Sequence, residues 1–124
     1  MIDEHRIITF GLTDEQNRKV RRCFPAKDYE LLDTDAPTDL IAISAIVSII
    51  DSEKLDADSA EMLFDFYDEL KGSVSETVVW LGNRLPPKDL QGILKCYAGF
   101  AEIEQKLKYI FLSAHKKTRK SSEF

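Results

Sequence analysis

The run Ile46-Val47-Ser48-Ile49-Ile50 constrains this chain more than any other segment. It is rich in β-branched residues and shows no alternation of apolar and polar positions. A strand that is apolar on both faces is what the centre of a parallel sheet requires, because helices cover both sides there. Pro37 opens a short helix that the sequence places over residues 37–44, just before the strand. A single long helix across Pro37 to Ile50 is the competing reading. Pro37 and the β-branched second half favour the split.

The neighbouring segments follow an alternating order. Arg6 to Phe10 reads as a first strand, closed by Gly11. Thr13, with Gln16 three residues on, is a capping-box signature for a helix that Pro25 stops. Tyr29 to Leu32 reads as a second strand. Residues 56–70 carry Ala60, Leu63, Phe64 and Tyr67 at helical spacing, with Gly72 as the expected C-cap. Thr77 to Leu81 and Ile93 to Lys95 read as strands four and five. A last helix carries Ile103, Leu107, Ile110, Phe111 and Ala114 on one face.

Strands alternating with helices predict an α/β fold, a flavodoxin-like doubly wound five-stranded parallel sheet with strand order 2-1-3-4-5. Asn83 to Gln91, with Pro86-Pro87 inside it, is short for a crossover helix with its loops, which takes about 10–12 residues. The fourth helix is therefore expected to be shortened or missing.

At 124 residues and 44% hydrophobic, the chain holds one domain, expected over residues 1–115, with a basic tail over 116–124. A net charge of −5 argues against broad attraction to nucleic acid. Cys23 and Cys96 form no CxxC pair and are expected to be reduced and largely buried, which suits a cytoplasmic protein. No signal-peptide pattern is visible at Met1 to His5, and the apolar stretch Leu40 to Ile50 is too short to span a bilayer. Trp80, Phe64 and Tyr67 read as core, and Phe66 as an exposed candidate contact.

In such a sheet, chemistry gathers beyond the carboxyl ends of the strands. Those positions here are Gly11-Leu12 after strand one, Asp51 after strand three, Gly82-Asn83 after strand four, and Lys95 at strand five. The order Ile93-Leu94-Lys95, a small turn, then the helix through Leu107 resembles the end of a response-regulator receiver (CheY-like) domain, and the likeness runs from Ile7 to Ala114. The resemblance implies Asp51 as the phospho-acceptor position and Lys95 as the lysine that offsets phosphoryl charge, the two forming an ion pair.

The same resemblance exposes what is absent. The acidic pair that holds Mg²⁺ in receivers falls on Gly11 and Leu12, the hydroxyl position on Gly82, and the aromatic switch position on Gly92. Cys96 replaces the proline that follows the lysine. The expected protein is a pseudo-receiver in two-component signalling, with no enzyme activity and no cofactor, Mg²⁺ included. It would act by binding a protein partner or a second copy through Leu85, Tyr97 and Phe100, with no role for membrane or nucleic acid. Two alternatives stand beside it. One is a divergent receiver accepting phosphate at Asp51, with Asp33 or Asp35 supplying a different metal arrangement. The other is a small nucleotide- or flavin-binding flavodoxin-like domain.

Overall fold

The computed structural model describes residues 5–24, 27–70 and 77–122, with side chains described as far as Ala114. Five strands, β1 (Arg6–Phe10), β2 (Glu30–Thr34), β3 (Val47–Asp51), β4 (Thr77–Leu81) and β5 (Leu94–Tyr97), form one parallel sheet in the order β2-β1-β3-β4-β5. Helices α1 (Asp14–Cys23), α2 (Asp39–Ala42), α3 (Ala57–Leu70), α4 (Phe100–Ile103) and α5 (Leu107–Ser122), with 3₁₀ turns at Ser52–Lys54, Lys88–Leu90 and Glu104–Lys106, complete the described elements. This is the α/β flavodoxin-like architecture expected from the alternation.

Successive residues of β3 feed two different cores. Val47 and Ile49 pack with Ile7, Val79, Val20, Ile103, Leu107 and Ile110, on the side of α1, α4 and α5. Ile50 packs with Ile8, Val78, Trp80, Leu63 and Tyr67, on the side of α3. The two-residue period of a strand sends neighbours to opposite faces, so an unbroken apolar run fills both. Ile49 and Ile50 are fully buried, and truncating either to alanine costs about 2–5 kcal/mol. Edge-on contacts among Phe24, Tyr29 and Phe111, with ring centroids 4.7–5.8 Å apart, close the outer end of the first core.

Local signals account for the helix ends. Thr13 Oγ1 accepts the Gln16 N–H at 3.1 Å, and Gln16 Oε1 accepts the Thr13 N–H at 2.9 Å. This reciprocal capping box starts α1. Asp56 precedes α3 and accepts the Ser59 N–H at 2.6 Å. That bond, together with the Ser59 hydroxyl, holds its carboxyl below the usual carboxylate range.

The structure moves several boundaries. β2 reaches Thr34 because Asp33 and Thr34 pair with Thr9 and Phe10 of β1. The helix expected over 37–44 is one turn, Asp39–Ala42. Ile43 is already extended, and the Thr34 hydroxyl, bonded to Asp39, holds a tight turn before it. The fifth strand runs Leu94–Tyr97 instead of Ile93–Lys95. The last helix divides into α4, a 3₁₀ turn at Glu104–Lys106, and α5.

The crossover from β4 to β5 holds no α-helix, only a 3₁₀ turn at Lys88–Leu90. Leu90 is buried and fills part of the space a helix would occupy. Trp80 Nε1–H donates to the Arg84 carbonyl at 2.6 Å and ties the loop down. The expected cap at Gly72 and the stop at Pro25 lie outside the described residues, as do Met1 to Glu4. The backbone of α5 continues through the basic run, whose side chains also lie outside the described set.

Candidate functional site

β3 and β4 end level with each other and β1 ends one residue earlier, which brings Gly11, Asp51 and Gly82 to one rim of the sheet. Asp51 lies opposite Leu81, and Leu81 opposite Tyr97. The chain turns straight after Asp51 into a 3₁₀ turn at Ser52–Lys54. Asp51 Oδ1 accepts the Glu53 N–H at 3.1 Å, so this carboxylate caps the turn.

That turn fills the rim. Gly11 sits at φ +81°, and a Cβ there would lie 2.8 Å from Lys54 Cγ and 3.0 Å from Asp51 Cβ. Gly82 sits at φ +107°, and a Cβ there would lie 2.7 Å from Ser52 Oγ and 2.8 Å from Glu53 Cγ. Positive φ and the absence of a side chain are both required at these positions. Of the positions that the receiver resemblance assigns to the acidic pair (Gly11 and Leu12) and to the hydroxyl (Gly82), the two glycines have the next turn packed over them.

Arg84 fastens the same turn from the β4 side. Its Nε–H donates to the Ser52 carbonyl at 3.3 Å, and an NH2 hydrogen donates to the Leu55 carbonyl at 3.0 Å. One planar guanidinium thus satisfies two carbonyls of a segment without ladder partners. The Gly82 N–H donates to the Tyr97 carbonyl at 2.9 Å and links this assembly to β5. Sequence reasoning did not single out Glu53, Lys54 or Arg84. The signal for the first two was Asp51 placed two residues before Glu53, the spacing of an Asx turn. For Arg84 the only hint was a lone cation in a Pro-rich loop.

Lys95 does not reach the rim. It is the second residue of β5, opposite Val79, two positions below the level of Asp51 and Leu81. It is exposed, and the expected ion pair with Asp51 is not among those formed by the described residues. Tyr97 stands at the level of Leu81 and Asp51. The Lys106 ammonium lies 5.5 Å from the centre of the Tyr97 ring.

Among the described residues no three His, Cys, Asp or Glu side chains converge as a metal site, Asp33, Asp35 and Asp51 included. Gly92 is exposed with open space where a side chain would stand.

The surface around β5 is altered by the missing helix. Leu85 is 68% exposed, Tyr97 half-buried and Ile93 half-buried. Hollows of about 440 Å³ and 290 Å³ flank the strand, and both are bounded by Leu85, Cys96 and Tyr97. Two expectations need correction here. Phe100 is only 8% exposed and packs into the first core, so it offers no contact surface. Cys96 is exposed and Cys23 half-buried, because no helix covers the former and the outer side of α1 leaves the latter at the margin of the core. Partial burial still pushes both thiols up from their ordinary range. Phe66 also differs from expectation. It is half-buried against the second core, its ring 5.4 Å from that of Tyr67.

No family model matches the chain, and no curated protein matches it. Among solved structures, the chain is similar to one described as a yeast Spc42 trimeric coiled coil fused to another structure. The identity is 13%, the match covers 99% of this chain and 87% of that one, and the TM-score is 0.60. This likeness concerns the fold alone. Among the described residues, no helix is long and apolar enough to cross a membrane.

Proposed function

We propose that this chain is a degenerate receiver-like domain, a stand-alone pseudo-receiver that acts in cytoplasmic signalling by binding another protein. It is not an enzyme and takes up no phosphate. The observation that carries this reading is the packing of Glu53 against Gly82 and of Lys54 against Gly11. A phosphoryl group at Asp51 needs cations and hydrogen-bond donors around its oxygens. Here Asp51 is occupied as a turn cap and a glutamate side chain fills the corner above β4.

The binding surface in this reading is the uncovered flank of β5, with Leu85 and Tyr97 at its centre. Both hollows beside the strand share these residues, and Leu85 is the most exposed large aliphatic side chain near them. Affinity capture from the source cell lysate, with wild type, Leu85→Asp and Asp51→Asn as baits, tests it. The reading expects a partner retained by Asp51→Asn and lost by Leu85→Asp. A partner lost by Asp51→Asn and retained by Leu85→Asp overturns it in favour of a phospho-accepting receiver.

A further inference from the structure

The helices on the two sides of the sheet carry opposite charge. α1, α4, α5 and the 3₁₀ turn between the last two hold ten Lys and Arg against four Asp and Glu. On the other side, α2 and α3 hold six Asp and Glu and no Lys or Arg. The net charge of −5 conceals this division. The sheet and its two cores lie between the layers, so the two outer faces of one chain cannot neutralise each other.

α1 and α5 lie side by side and form the cationic face. Lys19 pairs with Glu15 at 3.8 Å and also with Glu104, which engages two of the four carboxylates. Arg18, Arg22 and Lys108 are exposed and form no ion pair among the described residues. Lys108 stands near Cys23, the last residue of α1, where its charge acts on the thiol. Next to Lys108 on α5, Tyr109 and Leu112 are 70% and 62% exposed. Three residues apart, they share one face of the helix. The helix continues to Ser122 through Lys116, Lys117, Arg119 and Lys120.

α3 forms the opposite face. Asp58, Glu61, Asp65 and Asp68 recur at helical spacing and are all exposed, so they make one acidic stripe. Glu61 and Asp65 form no ion pair among the described residues, and like charges four residues apart repel. Met62 and Phe66 follow them in sequence and are half-buried, which leaves apolar surface beside the stripe.

We propose that a second copy of this chain covers the α1–α5 face with its own α3 face. Charge complementarity argues for the copy, because the same molecule carries both halves of the contact. Opposite potentials steer such faces together and set their orientation. Arg18, Arg22 and Lys108 meet the acidic stripe, while Tyr109 and Leu112 meet Met62 and Phe66. Two different patches are joined, so the contact is heterologous. Each added copy leaves one face of each kind free, and the assembly grows as an open row instead of closing as a pair. The flank of β5 takes no part, so this association is independent of docking there.

The test is sedimentation velocity of the full chain from about 10 μM to about 1 mM, in about 20 mM and about 300 mM salt. Wild type is expected to grow beyond a dimer with concentration at low salt, with association about tenfold or more weaker at high salt. One variant, Arg22→Glu with Lys108→Glu, reverses the cationic face. Another, Glu61→Lys with Asp65→Lys, reverses the acidic face. Each alone is expected to be monomeric, and their mixture to form a 1:1 dimer that grows no further. Unchanged circular dichroism and unfolding midpoints show that these surface substitutions leave the fold intact. Three results each overturn the proposal. The first is a wild type that stays monomeric at low salt, including one that instead binds phosphatidylserine vesicles and so gives the cationic face to a lipid surface. The second is association that both variants retain, which places the contact elsewhere. The third is a mixture of the two variants that stays monomeric.

Discussion

Gly82 is held at φ +107° with Glu53 Cγ only 2.8 Å from where its Cβ would stand. The pair explains why the rim above β4 carries no side chain of its own. Placing a hydroxyl there, as a receiver has, therefore works against this backbone. Gly82→Thr is expected to lower stability by about 1–3 kcal/mol, read from the urea midpoint. An unchanged midpoint means that the turn at Ser52–Lys54 is not seated as described.

Arg84 is expected to be the main fastening of that turn. Arg84→Ala leaves the Ser52 and Leu55 carbonyls without its donors, and a loss of about 1–3 kcal/mol follows. Arg84→Lys recovers only part of it, because an ammonium lacks the planar fork. Hydrogen exchange at the Glu53 and Leu55 amides reports the loosening directly. Exchange that stays at the wild-type rate in Arg84→Ala assigns the fastening elsewhere.

Asp51 is expected to behave as a cap. Asp51→Asn keeps an acceptor for the Glu53 N–H and is tolerated, whereas Asp51→Ala costs about 1 kcal/mol. Equal destabilisation by the two substitutions contradicts a capping role.

The flank of β5 separates into core and surface. Phe100→Ala is expected to cost about 3–5 kcal/mol, because the ring is buried in the first core. Leu85→Ala stays within about 0.5 kcal/mol. Thermal or urea unfolding distinguishes the two, and a large loss for Leu85→Ala removes it from the exposed surface.

The carboxyl of Asp56 is held below its usual range by the Ser59 amide and hydroxyl. A group whose pKa is lower folded than unfolded adds stability above the unfolded value. That stability is lost as pH falls through the folded one. The start of α3 is therefore expected to weaken only in acid, below about pH 4. Asp56→Asn removes this part of the pH dependence while keeping a cap. Comparing the two unfolding curves from pH 6 to about pH 2 measures it.

The sheet was legible because its determinants are local. The doubly apolar run at β3, the Thr13–Gln16 box and the short Pro86-Pro87 crossover each report their own element. The site was less legible because it depends on register between elements. Whether Lys95 reaches the rim depends on how a four-residue strand pairs with β4, and the pairing puts Tyr97 there. Neither Gly11 nor Gly82 reveals in sequence that Lys54 and Glu53 will pack onto it. The burial of Phe100 and the exposure of Cys96 likewise follow from which helices cover β5.

The most direct test of a closed, phosphate-independent rim is an NMR titration with Mg²⁺ followed by beryllofluoride, in wild type and in Asp51→Asn. The account predicts no saturable shift around Gly11, Asp51 or Gly82 in either protein at millimolar Mg²⁺. Saturable shifts clustered at Asp51 and Gly82 that vanish in Asp51→Asn would contradict it and make this chain a working phospho-acceptor.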